Sequence, residues 1–290
     1  MFLKIAVDRR FTKIFKGFIP FYSMVQTIGV VSLKGGVGKT SSVISLGAAL
    51  SEFGKKVLLV DANFSAPNLG IHLNLINPTK HIHNVLDRSV NPSEAVYNLE
   101  KFDVLPASIF ATQIIAPLKL RDFLKYLEPK YDYILIDSSP ALNEETLAAI
   151  LASDKIFVVT TPDYSTLGMT LKAIKIAKQR GTPIEGLILN KVYNKSFELS
   201  LKEIEDTAEV PVLAVIPHDI KIPEAQSKFI SLLEHSPNSE SSEEYRKLAA
   251  ALSGEKYPPI KIKNFFRLII PRKQDINRTI YYRRIFEDEN

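Results

Sequence analysis

The chain contains no cysteine and no tryptophan. Without cysteine there are no disulfides, no thiolate metal sites and no thiol nucleophile, a composition suited to a reducing compartment. No apolar run approaches the ~18–20 residues that a helix needs to cross a bilayer. The first segment is basic, but charges interrupt its apolar residues, which argues against a secretory signal. Acids are scarce at the two ends: residues 1–23 carry five Lys/Arg against Asp8, and residues 260–290 carry eight against four acids. Each end is therefore +4, leaving −3 between them within a net charge of +5. Basic ends around an acidic middle point to an anionic partner, either a lipid surface or nucleic acid.

What is present is enough for one large α/β domain or two small ones: 290 residues, 46% of them hydrophobic. From residue 27 short β-rich runs alternate with helical stretches, as a parallel sheet with crossover helices requires. Strands are expected at 28–33, 56–61, 102–105, 132–137, 155–160, 184–190 and 211–216. Residues 39–53 are expected to be helical, with Val43, Leu46, Ala49, Leu50 and Phe53 on one face and Gly54 placed to end the helix. Further helices are expected at 118–127, 143–152, 165–179, 198–208 and 241–252. The expected layout is a basic amphipathic extension at 1–23, an α/β domain at 24–254, and a linker with a basic amphipathic tail at 255–290. Gly254 and the Pro258-Pro259 pair set that last boundary.

Ligands of such sheets gather at the carboxyl ends of the strands. There the run Ile28–Leu33 leads into Lys34-Gly35-Gly36-Val37-Gly38-Lys39-Thr40. Strand, glycine-rich loop and helix, in that order, build a phosphate cradle: successive backbone N–H groups turn toward one anion, and the helix adds its positive dipole end. Lys39 is expected to reach the β- and γ-phosphates and Thr40 to hold Mg²⁺. Two more strands end in a carboxylate, Val57–Val60 in Asp61 and Tyr133–Ile136 in Asp137. An acid in that place holds Mg²⁺, usually through water; the competing reading is a helix cap.

The phosphate loop departs from the standard pattern, with Leu33 where a glycine is usual and an added lysine at 34. That pair of features resembles the deviant Walker A loop of the MinD/ParA family of ATPases. The resemblance covers most of residues 27–253. It rests further on Val57–Asp61 (first switch), Ile134–Ala141 (second switch) and Leu189-Asn190-Lys191, while Pro67-Asn68-Leu69-Gly70 looks like the MinD branch. It implies a P-loop NTPase-type α/β fold, a mostly parallel sheet with helices on both faces, and ATP or ADP with Mg²⁺ as ligands. It also implies an ATP-dependent homodimer in which Lys34 crosses to the partner's nucleotide. By the same carry-over Ser41 touches the α-phosphate and Asn190 reads the adenine. The loop Val215–Asp219, with Pro217 and Asp219, closes over the base. On local sequence alone Asn190 reads as an ordinary strand-end turn residue.

The family usually carries Asp-x-Asp at the first switch, the second aspartate positioning the attacking water; here the triplet is Asp61-Ala62-Asn63. An amide hydrogen-bonds water but cannot polarise it with a charge or take its proton. Losing one such group lowers rates ~10²-fold or more. The expectation is a slow ATPase in which Lys34, Lys39 and Asn63 form the catalytic set.

At the ends, Leu3, Val7, Phe11, Ile14 and Phe18 recur at helical spacing with Phe15 beside them and Arg9, Arg10, Lys13 and Lys16 on other faces. Phe265, Phe266, Ile269 and Ile270, interleaved with Lys263 and Arg267, form a second stripe ended by Pro271. Basic amphipathic helices lie in a membrane interface, and such stripes also pack on their own domain. MinD proteins dock through a similarly placed C-terminal helix. Residues 272–284 are basic with little periodicity, and Tyr281-Tyr282 admits stacking on nucleic acid. The resulting expectation is a cytoplasmic switch, peripheral to an anionic membrane when ATP-bound, with a protein partner at the switch face. The alternative is a ParA-like DNA-binding partition ATPase. The iron–sulfur carriers of the same ATPase group need cysteines, which this chain lacks.

Overall fold

In the computed structural model, which describes residues 25–255, 257 and 272–286, eight strands form one sheet. They are β1 (Gln26–Val31), β2 (Val57–Ala62), β3 (Tyr97–Asn98), β4 (Asp103–Leu105), β5 (Tyr133–Ser138), β6 (Lys155–Thr160), β7 (Ile184–Val192) and β8 (Val212–Pro217). Their order is β3-β4-β2-β5-β1-β6-β7-β8, parallel throughout except where β3 meets β4. All seven expected strands are present within two residues of their expected limits. β3 is additional; two residues cannot display a period.

The helices are α1 (Lys39–Glu52), α2 (Leu69–His72), α3 (Ile82–Leu86), α4 (Leu120–Leu124), α5 (Glu144–Ala152), α6 (Tyr164–Arg180), α7 (Leu201–Ala208), α8 (Lys221–Ser227), α9 (Leu232–His235), α10 (Glu240–Ser253) and α11 (Lys273–Phe286). Central strands bury both faces. Ile28, Leu59, Leu135, Phe157 and Ile188 pack with α1 and α10. Their alternates, Leu58, Val60, Ile134 and Ile136, pack with α4 and α5, and Val158, Leu187 and Leu189 with α6 and α7. Helices therefore cover both faces, which is why the strands read as continuous apolar runs. The expected α/β class holds. Asn143 caps α5 by accepting from Thr146 N–H at 3.1 Å, and Asp163 caps α6 through Thr166 N–H at 2.9 Å.

Where the sequence reads as linker and tail beyond Gly254, α11 packs back onto β8 and α10. Arg278 is 6% exposed and donates to Leu213 O at 2.8 Å and to Glu244 Oε2 at 2.9 Å. Asn277 donates to Val212 O at 2.9 Å. Tyr281 is buried and accepts from Lys155 Nζ at 3.2 Å, so it offers no face to a base. The amphipathic stripes expected at the ends, with Phe11, Phe15, Phe18, Phe265, Phe266 and Ile269, lie outside the described residues. Among the described residues no helix is long and apolar enough to cross a membrane.

Candidate functional site

β1 delivers the chain to residues 32–38 at the carboxyl edge of the sheet, and α1 carries it away from Lys39. Gly38 has φ +95°, unfavourable for any residue with a β-carbon. Space excludes a side chain there as well, since a β-carbon would lie 2.2 Å from Asn190 Nδ2. That amide donates to Val37 O at 2.7 Å, while Asn190 Oδ1 accepts from Lys191 N–H at 2.9 Å. Lys191 Nζ donates to Gly36 O at 2.7 Å. The end of β7 thus takes up loop carbonyls, and the first-turn N–H groups of α1, which have no partner within the helix, are left for an anion.

Beneath the loop, β2 and β5 pair with Asp61 directly opposite Asp137. Thr40 Oγ1 donates to Asp137 Oδ2 at 2.6 Å, and Asp137 Oδ1 is buried with no hydrogen-bond partner. Asp61 Oδ1 accepts from Asn63 N–H at 3.0 Å; its Oδ2 accepts from the N–H groups of Asn68 and Leu69 at 3.2 and 3.1 Å. Burial, and then Asp137, push Asp61 up to about 8 against those three donors. Burial raises Asp137 too, opposed by Lys39 and Thr40, and burial lowers Lys39, opposed by Asp137 and Asp61. Two buried carboxylates sharing one lysine are short of positive charge. Mg²⁺ fits that deficit and the free Asp137 Oδ1, with Thr40 as the hydroxyl beside it. Asp61, its oxygens engaged by backbone, stands behind them.

The first switch is folded over Asp61. Asn63 is buried, and its amide donates to Ala66 O, which Asn68 Nδ2 also reaches at 3.0 Å. The amide is therefore a loop clasp, a role that the expectation of a water-positioning group did not include. A carboxylate at 63 has no hydrogen to offer that carbonyl.

A cleft of about 410 Å³ opens above this floor. It is lined by Gly35, Gly36, Gly38, Lys39, Thr40 and Ser41 from the loop and α1, with Asn63, Asn190, Pro217 and Asp219 opposite. Two expected members stand elsewhere. The Val37 side chain is buried in the core. Lys34 turns away to α6, where Nζ lies 3.3 Å from Asp163 Oδ1 and 2.8 Å from Thr166 Oγ1. The cleft lining also includes residues outside the expected site, among them Asn68, His72, Lys191, Ile222, Pro223 and Gln226. Gln226 Nε2 donates to Ser41 Oγ at 2.6 Å, joining α8 to α1. Lys191 and Asn68 sit within the Leu189-Asn190-Lys191 and Pro67-Asn68-Leu69-Gly70 motifs, so a sequence signal exists for them; Gln226 has none. Among the described residues no group of three or more His, Asp or Glu forms a separate metal cluster.

Residues 25–185 match the family model described as an AAA domain. Residues 112–269 match that of 4Fe-4S iron sulfur cluster binding proteins of the NifH/frxC family, although this chain has no cysteine to bind a cluster. An uncharacterised ATP-binding protein of Methanocaldococcus jannaschii is 35% identical, over 81% of this chain and 90% of that one. The septum site-determining protein MinD of Thermotoga maritima is 32% identical over the same shares, 81% and 90%. Among solved structures, the septum site-determining protein MinD complexed with Mg-ADP from Pyrococcus horikoshii superposes with a TM-score of 0.74 at 33% identity, covering 79% of this chain and 96% of that one.

Proposed function

Since this chain belongs to the MinD/ParA family of P-loop ATPases, we propose that it is a slow, ATP-dependent dimerising switch of the MinD type, used for spatial positioning at an anionic membrane surface. The observation that carries this reading is the cleft above Asp61 and Asp137, walled by residues 35–41 on one side and by Asn190 with Pro217–Asp219 on the other. A triphosphate placed there meets the α1 N-terminus, Lys39 and Thr40, with Ser41 at the α-phosphate and the purine toward Pro217 and Asp219. Mg²⁺, held by Thr40 and Asp137 with Asp61 behind, would neutralise charge on the β- and γ-phosphates. Asn63 can orient water near the γ-phosphate but cannot deprotonate it, which favours a long-lived ATP state.

Lys34 gives the switch its second subunit. An ammonium that leaves Asp163 for a phosphate across an interface gains a partner of higher charge only while ATP is present. Single weak anchors bind lipid marginally, so pairing the basic amphipathic segments of two chains makes attachment depend on dimerisation. The MinD reading is favoured over the ParA one by Pro67-Asn68-Leu69-Gly70 and by the burial of Tyr281.

The test is calorimetry with Mg-ATP and Mg-ADP, then sedimentation with each. Binding with a doubled mass in Mg-ATP is expected; no affinity for either nucleotide ends the proposal. Flotation on anionic vesicles beside a DNA gel shift separates the two branches, since DNA affinity falls steeply with salt and insertion of phenylalanines does not.

A further inference from the structure

The first switch loop is tied down from outside the cleft as well as from within. Ser65 N–H donates to Glu145 Oε1 at 2.9 Å, and Ser65 Oγ donates to the same oxygen. Glu145 is the second residue of α5, whose N-cap Asn143 follows closely on the second switch, Ile134–Ala141. It is 6% exposed, yet its Oε2 has no hydrogen-bond partner. A carboxylate this buried is unfavourable unless its contacts are held in place. The N-terminal dipole of α5 offsets part of that penalty, and the two Ser65 donors offset more. Beside it, His83 on α3 meets the Phe64 carbonyl at 3.2 Å, its ring edge-on to Phe64 with centroids 5.9 Å apart. Inside, Asn63 and Asn68 close on Ala66 O. The loop is thereby a stiff unit with α5 as one of its attachments.

Resting on the nucleotide-switch reading above, we propose that Glu145 is a positioning residue that couples the two switch segments. A nucleotide-driven shift of residues 63–68 passes through Ser65 to Glu145, turns the first turn of α5, and so moves Ser138–Asn143; the coupling runs equally in reverse. The physical warrant is a direct contact: Ser65 cannot leave its place without breaking two bonds to α5 or taking α5 with it.

The experiment is hydrogen–deuterium exchange of the full chain with Mg-ADP and with Mg²⁺ plus a non-hydrolysable ATP analogue, calorimetry giving the affinity of each variant. In the unsubstituted protein residues 61–69 and 138–147 are expected to gain protection together with the ATP analogue. In Glu145→Ala, nucleotide affinity stays within about threefold and 61–69 still responds, while the response of 138–147 falls about fivefold or more. Glu145→Gln, whose amide oxygen still accepts from Ser65 N–H, restores part of it, a rescue that a merely space-filling role would not produce. Ser65→Ala removes one of two donors at an exposed position, gives an intermediate response, and decides the matter if Glu145→Ala does not fold. A full response of 138–147 in Glu145→Ala, or in Ser65→Ala if that variant stands alone, overturns the coupling. Absence of nucleotide binding in the unsubstituted protein overturns the switch reading instead, and the calorimetry tells the two failures apart.

Discussion

The Lys34 ammonium lies 3.3 Å from Asp163 Oδ1 within the same chain, at the capped end of α6. The family expectation sends this lysine to another subunit, so under the proposed switch the pair would compete with dimerisation. Burial works against the Asp163 charge, but hydrogen bonds from Thr161, Thr166 and Lys34 outweigh it and hold the carboxyl down near about 2. Asp163→Asn keeps the α6 cap, because asparagine caps as well as aspartate, and removes the charge that holds Lys34, leaving it only neutral partners such as the Thr166 hydroxyl. Self-association in Mg-ATP should tighten about 2- to 5-fold, the scale of a half-exposed ion pair. Lys34→Ala should abolish it. Analytical ultracentrifugation reads both.

Gly38→Ala puts a β-carbon where Asn190 Nδ2 already lies and forces a left-handed backbone on alanine. A loss of about 2–3 kcal/mol in stability and of measurable nucleotide binding is expected. Asn190→Ala is milder, leaving Val37 O without its amide partner. It should cost about 1–2 kcal/mol by urea unfolding.

Asn63→Asp trades a clasp for a charge. The carboxylate polarises water, so phosphate release should rise about 10-fold or more. It also faces Ala66 O without a hydrogen to donate, so thermal stability should fall by about 1 kcal/mol. Unchanged turnover would remove Asn63 as the brake on hydrolysis.

His81 and His83 are both buried, their rings edge-to-face with centroids 5.2 Å apart. Burial lowers both from 6.5. At these two sites the unfolded chain therefore binds more protons than the folded one just below that value, and their contribution to stability declines as pH falls through it. The urea midpoint of the unsubstituted protein minus that of His83→Gln should be constant above about pH 7 and shrink on acidification below about 6.5.

Arg278 and Glu244, 6% and 1% exposed, form a pair sealed between α11 and α10. Either single alanine substitution leaves the other charge with one remaining ionic partner, Lys247 for Glu244 and Asp275 for Arg278, and should lower stability by about 2–3 kcal/mol. Arg278→Met with Glu244→Leu should recover most of that in the melting temperature, since a buried pair adds little over a matched apolar one.

The phosphate loop and both strand-end aspartates were legible because their signal is local: apolar run, turn, polar residue. α11 was not, because the face it buries is Gln274, Arg278 and Tyr281. A helix held by a buried ion pair and backbone carbonyls has no apolar period to read. Gln226 and the clasp at Asn63 escaped for a different reason. Each depends on which atom the fold brings within 3 Å, Ser41 in one case and Ala66 in the other, and residue type alone does not specify a partner. Lys34 stands out in the sequence as the added lysine of the loop, but its partner Asp163 lies 129 positions away.

Asn277 and Arg278 occupy Val212 O and Leu213 O on the outermost long strand. Those oxygens would otherwise be open to the N–H groups of a stray strand from a neighbouring molecule, and a bare flank of that kind is where proteins aggregate. The opposite flank ends in β3, two residues long and antiparallel, too brief a template for much pairing. Stripping α11 away should therefore turn an orderly protein into a sticky one, with precipitation preceding any loss of chemistry in the cleft.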